Sequence, residues 1–129
     1  SLSSNEVSLN HLVKSFLPAM SVGCSVISFT DENAVLALKL SEDINNSDFP
    51  SGSINFITGN FGNIVEDVGG HVEVKLVAIY SDITNEFIKT LSERGADSVK
   101  RIFNKPAVDG LASILPFIET KTVWHPKGK

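Results

Sequence analysis

The chain has 129 residues, 42% of them apolar and 20% charged, and a formal net charge of −4. That length fits one domain able to bury roughly two-thirds of its unfolded surface, and the composition excludes a disordered chain. The acidic balance argues against nucleic acid as a partner, because phosphate contact needs clustered Lys and Arg.

The chain opens at Ser1 rather than Met, as expected of a piece cut from a longer protein, so the lack of a visible signal peptide carries little weight. Ser3 and Glu6 have capping-box spacing. Leu9, Leu12, Val13, Phe16, Leu17 and Met20 then recur at helical spacing, with Gly23 as the stop. Pro18 inside that pattern predicts either a kink or an earlier end. "CSVISF" (24–29) is a short, nearly all-apolar strand of the buried type. Its Cys24 is the only cysteine, which excludes an intrachain disulfide and points to a reducing compartment. With no basic neighbour in sequence, the thiol reads as inert packing. Thr30 and Asp31 are candidate caps for a helix that carries Val35, Leu36, Leu38 and Leu40 and fades at Asn45–Asn46. "SINFI" (53–57) is a second strand, followed by Thr58-Gly59-Asn60 and a short helix through Ile64, Val65 and Val68 that ends at Gly69-Gly70.

"VKLVAIY" (74–80) has the β-branched, apolar character of a third strand. "SDITNEFIKTLSERG" reads as a helix over 82–94, with Ile83, Phe87, Ile88 and Leu91 on one side and Gly95 at its stop. "DSVKRIF" (97–103) is a candidate fourth strand. "VDGLASILPFIE" reads as helical up to Pro116, and "TKTVWHPKGK" as a final extended segment. Residues 1–5 and 125–129 are expected to be flexible. Lys100, Arg101 and Lys105, like Lys121, Lys127 and Lys129 in the tail, read as solvated rims. His11, His71 and His125 lack ligand spacing, so no metal is expected. No run approaches the roughly 20 apolar residues needed to span a bilayer. Strands joined by helix-sized connections pair in parallel, which predicts an α/β domain with a mainly parallel sheet flanked by helices.

The stretch 16–81 also carries an ordered series of features. It holds a helix ending in a small-residue Gly turn, a strand, a Glu-bearing turn, the helix "VLALKL", the loop "FPSG", "INFITG", a helix, a His, and the strand before "YS". In that order they resemble the coenzyme-binding domain of aldehyde dehydrogenases. The tail "TKTVWHPKGK" is similar to a segment near the end of the second, non-catalytic module of family 16 aldehyde dehydrogenases. The resemblance implies one three-layer, Rossmann-like domain over 1–129. It also implies that "FPSGSINFITG" is a structural βα connection rather than a phosphate cradle.

The same comparison implies lost chemistry. The family holds ribose hydroxyls with a Lys and a Glu, and the matching positions here are Phe29 and Glu32. Glu32 also reads simply as a first-turn carboxylate facing the helix dipole. Where the family has a Gly-Ser-Thr start, this chain has Ser81, Asp82, Ile83 and Thr84, then Asn85 and Glu86. Asp82 is suited to capping its own helix and to repelling a phosphate. The family's thiol nucleophile and general-base Glu belong downstream of residue 81, where no cysteine occurs. Neither catalysis nor a bound coenzyme is expected.

The resulting expectation is a catalytically inactive module that serves protein–protein contact, as a homodimer or a scaffold within a larger protein, in the cytoplasm or nucleus. By resemblance the helix 82–94 contributes to the dimer contact, making Ile83, Phe87, Ile88 and Leu91 candidate interface residues. An amphipathic stripe alone does not separate interface from core. The alternative is a small-molecule or nucleotide module with a remodelled pocket lined by Glu32, Thr58, Asn60 and Tyr80. A dehydrogenase fragment completed by another chain is the remaining reading.

Overall fold

A computed structural model describes residues 3–30 and 34–126, with side chains from Leu9 onward. The Ser3–Glu6 capping pair, Asp31 and Glu32 therefore lie outside the described groups, as do parts of the end segments expected to be flexible. The first helix, α1 (Ser3–Ser21), continues past Pro18. It stops where Gly23 takes φ +84°, letting the amides of Gly23 and Cys24 bond back to the carbonyls of Met20 and Ala19 at 3.0 and 3.1 Å. Pro18 does not end the helix; the left-handed glycine does.

Strand β1 (Val26–Thr30), helix α2 (Ala34–Asn45) and strand β2 (Ile54–Thr58) form one βαβ unit. A 3-10 turn at Phe61–Asn63 leads into the short helix α3 (Val65–Gly70). Strand β3 (Leu76–Ile79), helix α4 (Asn85–Gly95) and strand β4 (Arg101–Asn104) form the second unit. Cys24 lies ahead of β1 rather than in it, and Thr30 is the last residue of β1. Residues 97–100 form a turn instead of strand, with Val99 at φ 51°. The helix expected before Pro116 is replaced by two 3-10 turns, Leu111–Ser113 and Leu115–Phe117. Gly110 at φ 69° and the missing amide of Pro116 interrupt any longer ladder.

Both strand pairs are parallel, as the helix-sized connections require. Val26 faces Ile54 through to Thr30 opposite Thr58, and Leu76 faces Arg101 through to Ile79 opposite Asn104. The expected single three-layer sheet is not what forms. The molecule is α/β with two separate two-stranded parallel sheets. Aromatic side chains link the units instead of a backbone ladder. The ring of Phe29 in β1 meets that of Phe61 at 5.5 Å, and Phe61 meets Phe87 of α4 edge-on at 5.7 Å.

Each unit has its own core. Leu12, Phe16 and Ala37 are buried with Val26, Ile54 and Phe56 packed against them, so α1 and α2 cover the same face of β1–β2. Strand alternation puts Ile27, Phe29, Asn55 and Ile57 on the opposite face. There Ile27 remains 62% exposed and Ile57 43%. The second core is built from Val65, Ile79 and Leu91, with Phe61, Val68, Val77, Ile83, Phe87, Ile88 and Ile102 around it. No described helix is long and apolar enough to cross a membrane.

Candidate functional site

Ligands of open α/β sheets bind beyond the carboxyl ends of parallel strands, so the residues following β3 and β4 come first. The turn 80–84 delivers the chain into α4. Its cap is Thr84, extended at φ −68° and ψ 150°, with no side-chain capping bond. Asp82 is therefore not the helix cap. Its carboxylate instead accepts a hydrogen bond from Lys105 Nζ at 2.5 Å. Lys105 sits just past β4 at φ 50°. Neighbouring parallel strands end side by side, which brings the residues beyond them together.

That hydrogen bond, followed by the charge of the same lysine, holds the Asp82 carboxyl below its ordinary value. Both partners are largely exposed, so the pair adds little to stability and is screened by salt. Its chemical effect is larger. The lysine that a phosphate at this turn would meet is already engaged, and a carboxylate stands beside it. Asp82 and Lys105 together are neutral, so the repulsion of an anion is weaker than for a bare aspartate.

The other coenzyme-position residues form no cluster with the Asp82–Lys105 pair among the described residues. Phe29 packs on Phe61, Ser81 is exposed, and Ile83 joins the second core. Of the residues expected to line a remodelled pocket, Thr58 is exposed, and Asn60 Oδ1 accepts from the Gly62 amide at 2.8 Å to cap the 3-10 turn. The Tyr80 hydroxyl is enclosed without a partner among the described residues, and burial raises its pKa. Glu32 lies outside the described residues.

The stripe read as a possible dimer contact packs in part against the second core. Leu91 is 0% exposed, and Ile83, Phe87 and Ile88 pack around it. The reason is α3: its Gly69 lets α4 approach so closely that a Cβ there would lie 2.8 Å from Arg94 Cβ. The outward side of α4 carries Lys89 near Glu93 at 3.7 Å, and at its edge toward α3 Arg94 reaches Glu66 at 2.6 Å. Of the candidate interface residues, Leu91 is core of this chain, while Ile83, Phe87 and Ile88 pack against that core and keep part of their surface exposed.

Two concavities flank the loop before β2, at the amino ends of β1 and β2. One, of about 200 Å³, lies between the end of α2 and the segment 49–56. The other, of about 520 Å³, is lined by Leu17, Met20, Ser21, Gly23, Cys24, Ser25, Phe49, Pro50 and Ser53. Cys24 is half-buried there, its sulfur 3.9 Å from the Phe117 carbonyl, so it borders a groove rather than filling a core. No local pattern signals this groove, because α1 and the loop 49–53 come together only in the fold. No family model, curated protein or solved structure matches the chain.

Proposed function

We propose that this chain is a catalytically inactive, aldehyde-dehydrogenase-like α/β module whose work is protein–protein contact, through self-association or as a scaffold inside a cell. The observation that carries this reading is the uncovered face of the β1–β2 sheet. Parallel sheets are ordinarily covered on both faces. Here α1 and α2 cover one, while on the other Phe29 packs on Phe61 and Ile27 and Ile57 stay exposed. A partner surface would complete the layer, and a second copy supplies one by two-fold symmetry. The Asp82–Lys105 pair supports the loss of coenzyme binding, since it occupies the position where backbone would approach a diphosphate.

Light scattering combined with calorimetry tests the proposal. The expected result is an assembly larger than a monomer at micromolar concentration and no saturable binding of NAD, NADP or ATP. A monomer that binds a nucleotide below about 100 μM, roughly −5.5 kcal/mol, would favour the small-molecule reading instead. The enclosed Tyr80 hydroxyl at the end of β3 is the observation on that side.

A further inference from the structure

A strand turns its amides and carbonyls alternately toward the neighbour on either side, so a strand with one neighbour leaves half of them open. Strand β1 has only β2 beside it. The Val26 amide donates to the Ser53 carbonyl at 2.9 Å, and Val26 lies opposite Ile54. In a parallel ladder that register turns the backbone of Val26 and Ser28 toward β2, and that of Ile27 and Phe29 away from it. Among the described residues, no backbone hydrogen bond of a turn or loop reaches Ile27 or Phe29.

The other open edges lack the features that make this one a pairing surface. Strand β4 begins at Arg101 and is followed by Lys105, and basic residues along an edge deter pairing. At β2 the outward groups belong to Ile54 and Phe56, whose side chains pack into the core beneath α1 and α2. At β3 they belong to Leu76 and Ala78, and neither is widely exposed. Ile27 and Ile57 are the exposed large apolar residues among the described strands, and the backbone of Ile57 faces β1. Ile27 alone joins an exposed apolar side chain, 62% open, to backbone groups at a free edge. Its strand, Val26–Thr30, holds no charge or proline, and its register is unbroken by a bulge.

The edge therefore calls for an uncharged extended strand with an apolar residue opposite Ile27, and β1 of a second copy is such a strand. Two copies of one edge meeting about a two-fold axis run antiparallel. An axis at Ser28, the centre of Val26–Thr30, sets Ile27 opposite the second copy's Phe29 and Phe29 opposite its Ile27. Each of these two pairs exchanges both of its backbone hydrogen bonds, which satisfies every outward amide and carbonyl of the two residues. On the uncovered face the same register sets a β-branched side chain against an aromatic one, a favourable cross-strand pair.

We infer that two copies of this chain pair antiparallel along the free edge of β1, with Ile27 opposite Phe29 on either side of Ser28. This rests on the reading that the chain self-associates, and it places the contact at a sheet edge rather than across a sheet face.

Amide exchange followed by NMR across a dilution series, with light scattering on the same samples, tests the pairing. As the mass doubles, the Ile27 and Phe29 amides gain protection while those of Leu76 and Ala78 do not. Ile27→Pro removes an outward amide, which a lone edge strand tolerates. It weakens association by about 30-fold, the equivalent of about 2 kcal/mol for the two hydrogen bonds lost across the axis. Ile27→Lys places a charge on the edge, weakens association as well, and serves if the proline variant does not fold. A dimer whose Ile27 and Phe29 amides exchange freely overturns the edge pairing but leaves self-association standing. A monomer at every concentration overturns both and leaves the edge to a foreign strand. Protection of the two amides in a monomer overturns the pairing, because the chain then covers its own edge.

Discussion

At the end of β3 the hydroxyl of Tyr80 is shut away from water with no described partner, and burial lifts its pKa above the ordinary phenol value of about 10. Between the unfolded and the native value the unfolded chain has shed a proton that the native chain keeps, so stability falls as pH rises through that window. Tyr80 is the only tyrosine, so phenolate absorbance reads it alone. The native midpoint should lie above the midpoint in denaturant, and coincident midpoints would contradict the enclosed hydroxyl. Val99 is a second strained position. A β-branched residue at φ 51° is sterically costly, and at 85% exposure it has little packing to lose. Relief of about 1–2 kcal/mol set against about 0.5–1 kcal/mol of added glycine entropy predicts that Val99→Gly stabilises modestly, measured as a higher urea midpoint at unchanged slope.

Between elements, the tightest fit is Gly69 of α3 against α4. An added methyl would meet Arg94 Cβ at 2.8 Å, an atom next to the backbone that cannot swing aside. Gly69→Ala should therefore destabilise by about 1–3 kcal/mol as the helices separate, read by thermal or urea unfolding. The same packing governs Phe87, whose ring lies on Phe61 within the second core. Phe87→Glu should unfold the chain rather than split a folded dimer, and circular dichroism distinguishes the two. The existence and order of the eight main helices and strands were legible in the sequence, because Leu12 and Phe16, or Val77 and Ile79, repeat at the periods of their elements. The role of the stripe Ile83, Phe87, Ile88 and Leu91 was not, since periodicity identifies an apolar face without saying what covers it. The Asp82–Lys105 pair was equally out of reach from local pattern. It joins residues 23 positions apart in the chain and depends on β3 and β4 ending side by side.

For the molecule as a whole, the balance of covered and uncovered surface sets behaviour in solution. Both helices of the first unit lie on one face of β1–β2, so Ile27 and Ile57 face solvent or a partner. Ile57→Lys should leave the unfolding midpoint nearly unchanged while lowering the mass measured by light scattering. An unchanged mass in a folded variant would remove that face from the assembly. The sequence indicated parallel pairing within each βαβ unit but not the break between β1 and β3, because crossover geometry constrains consecutive strands more than the closing of the sheet between units.

That break has a consequence for how the native state opens. The buried residues of the two cores do not overlap, and each has its own strand pair. With no ladder between them, the rings of Phe29, Phe61 and Phe87 form a soft joint through which opening of one unit need not release the other. Native-state amide exchange should then sort into two cooperative classes. Amides of β1, α2 and β2 would share one opening free energy, and those of β3, α4 and β4 another. Replacing Phe61 with Ala, which breaks both ring contacts, should widen the gap between the classes. A single common opening energy for both units would mean that the joint transmits unfolding as rigidly as a continuous sheet.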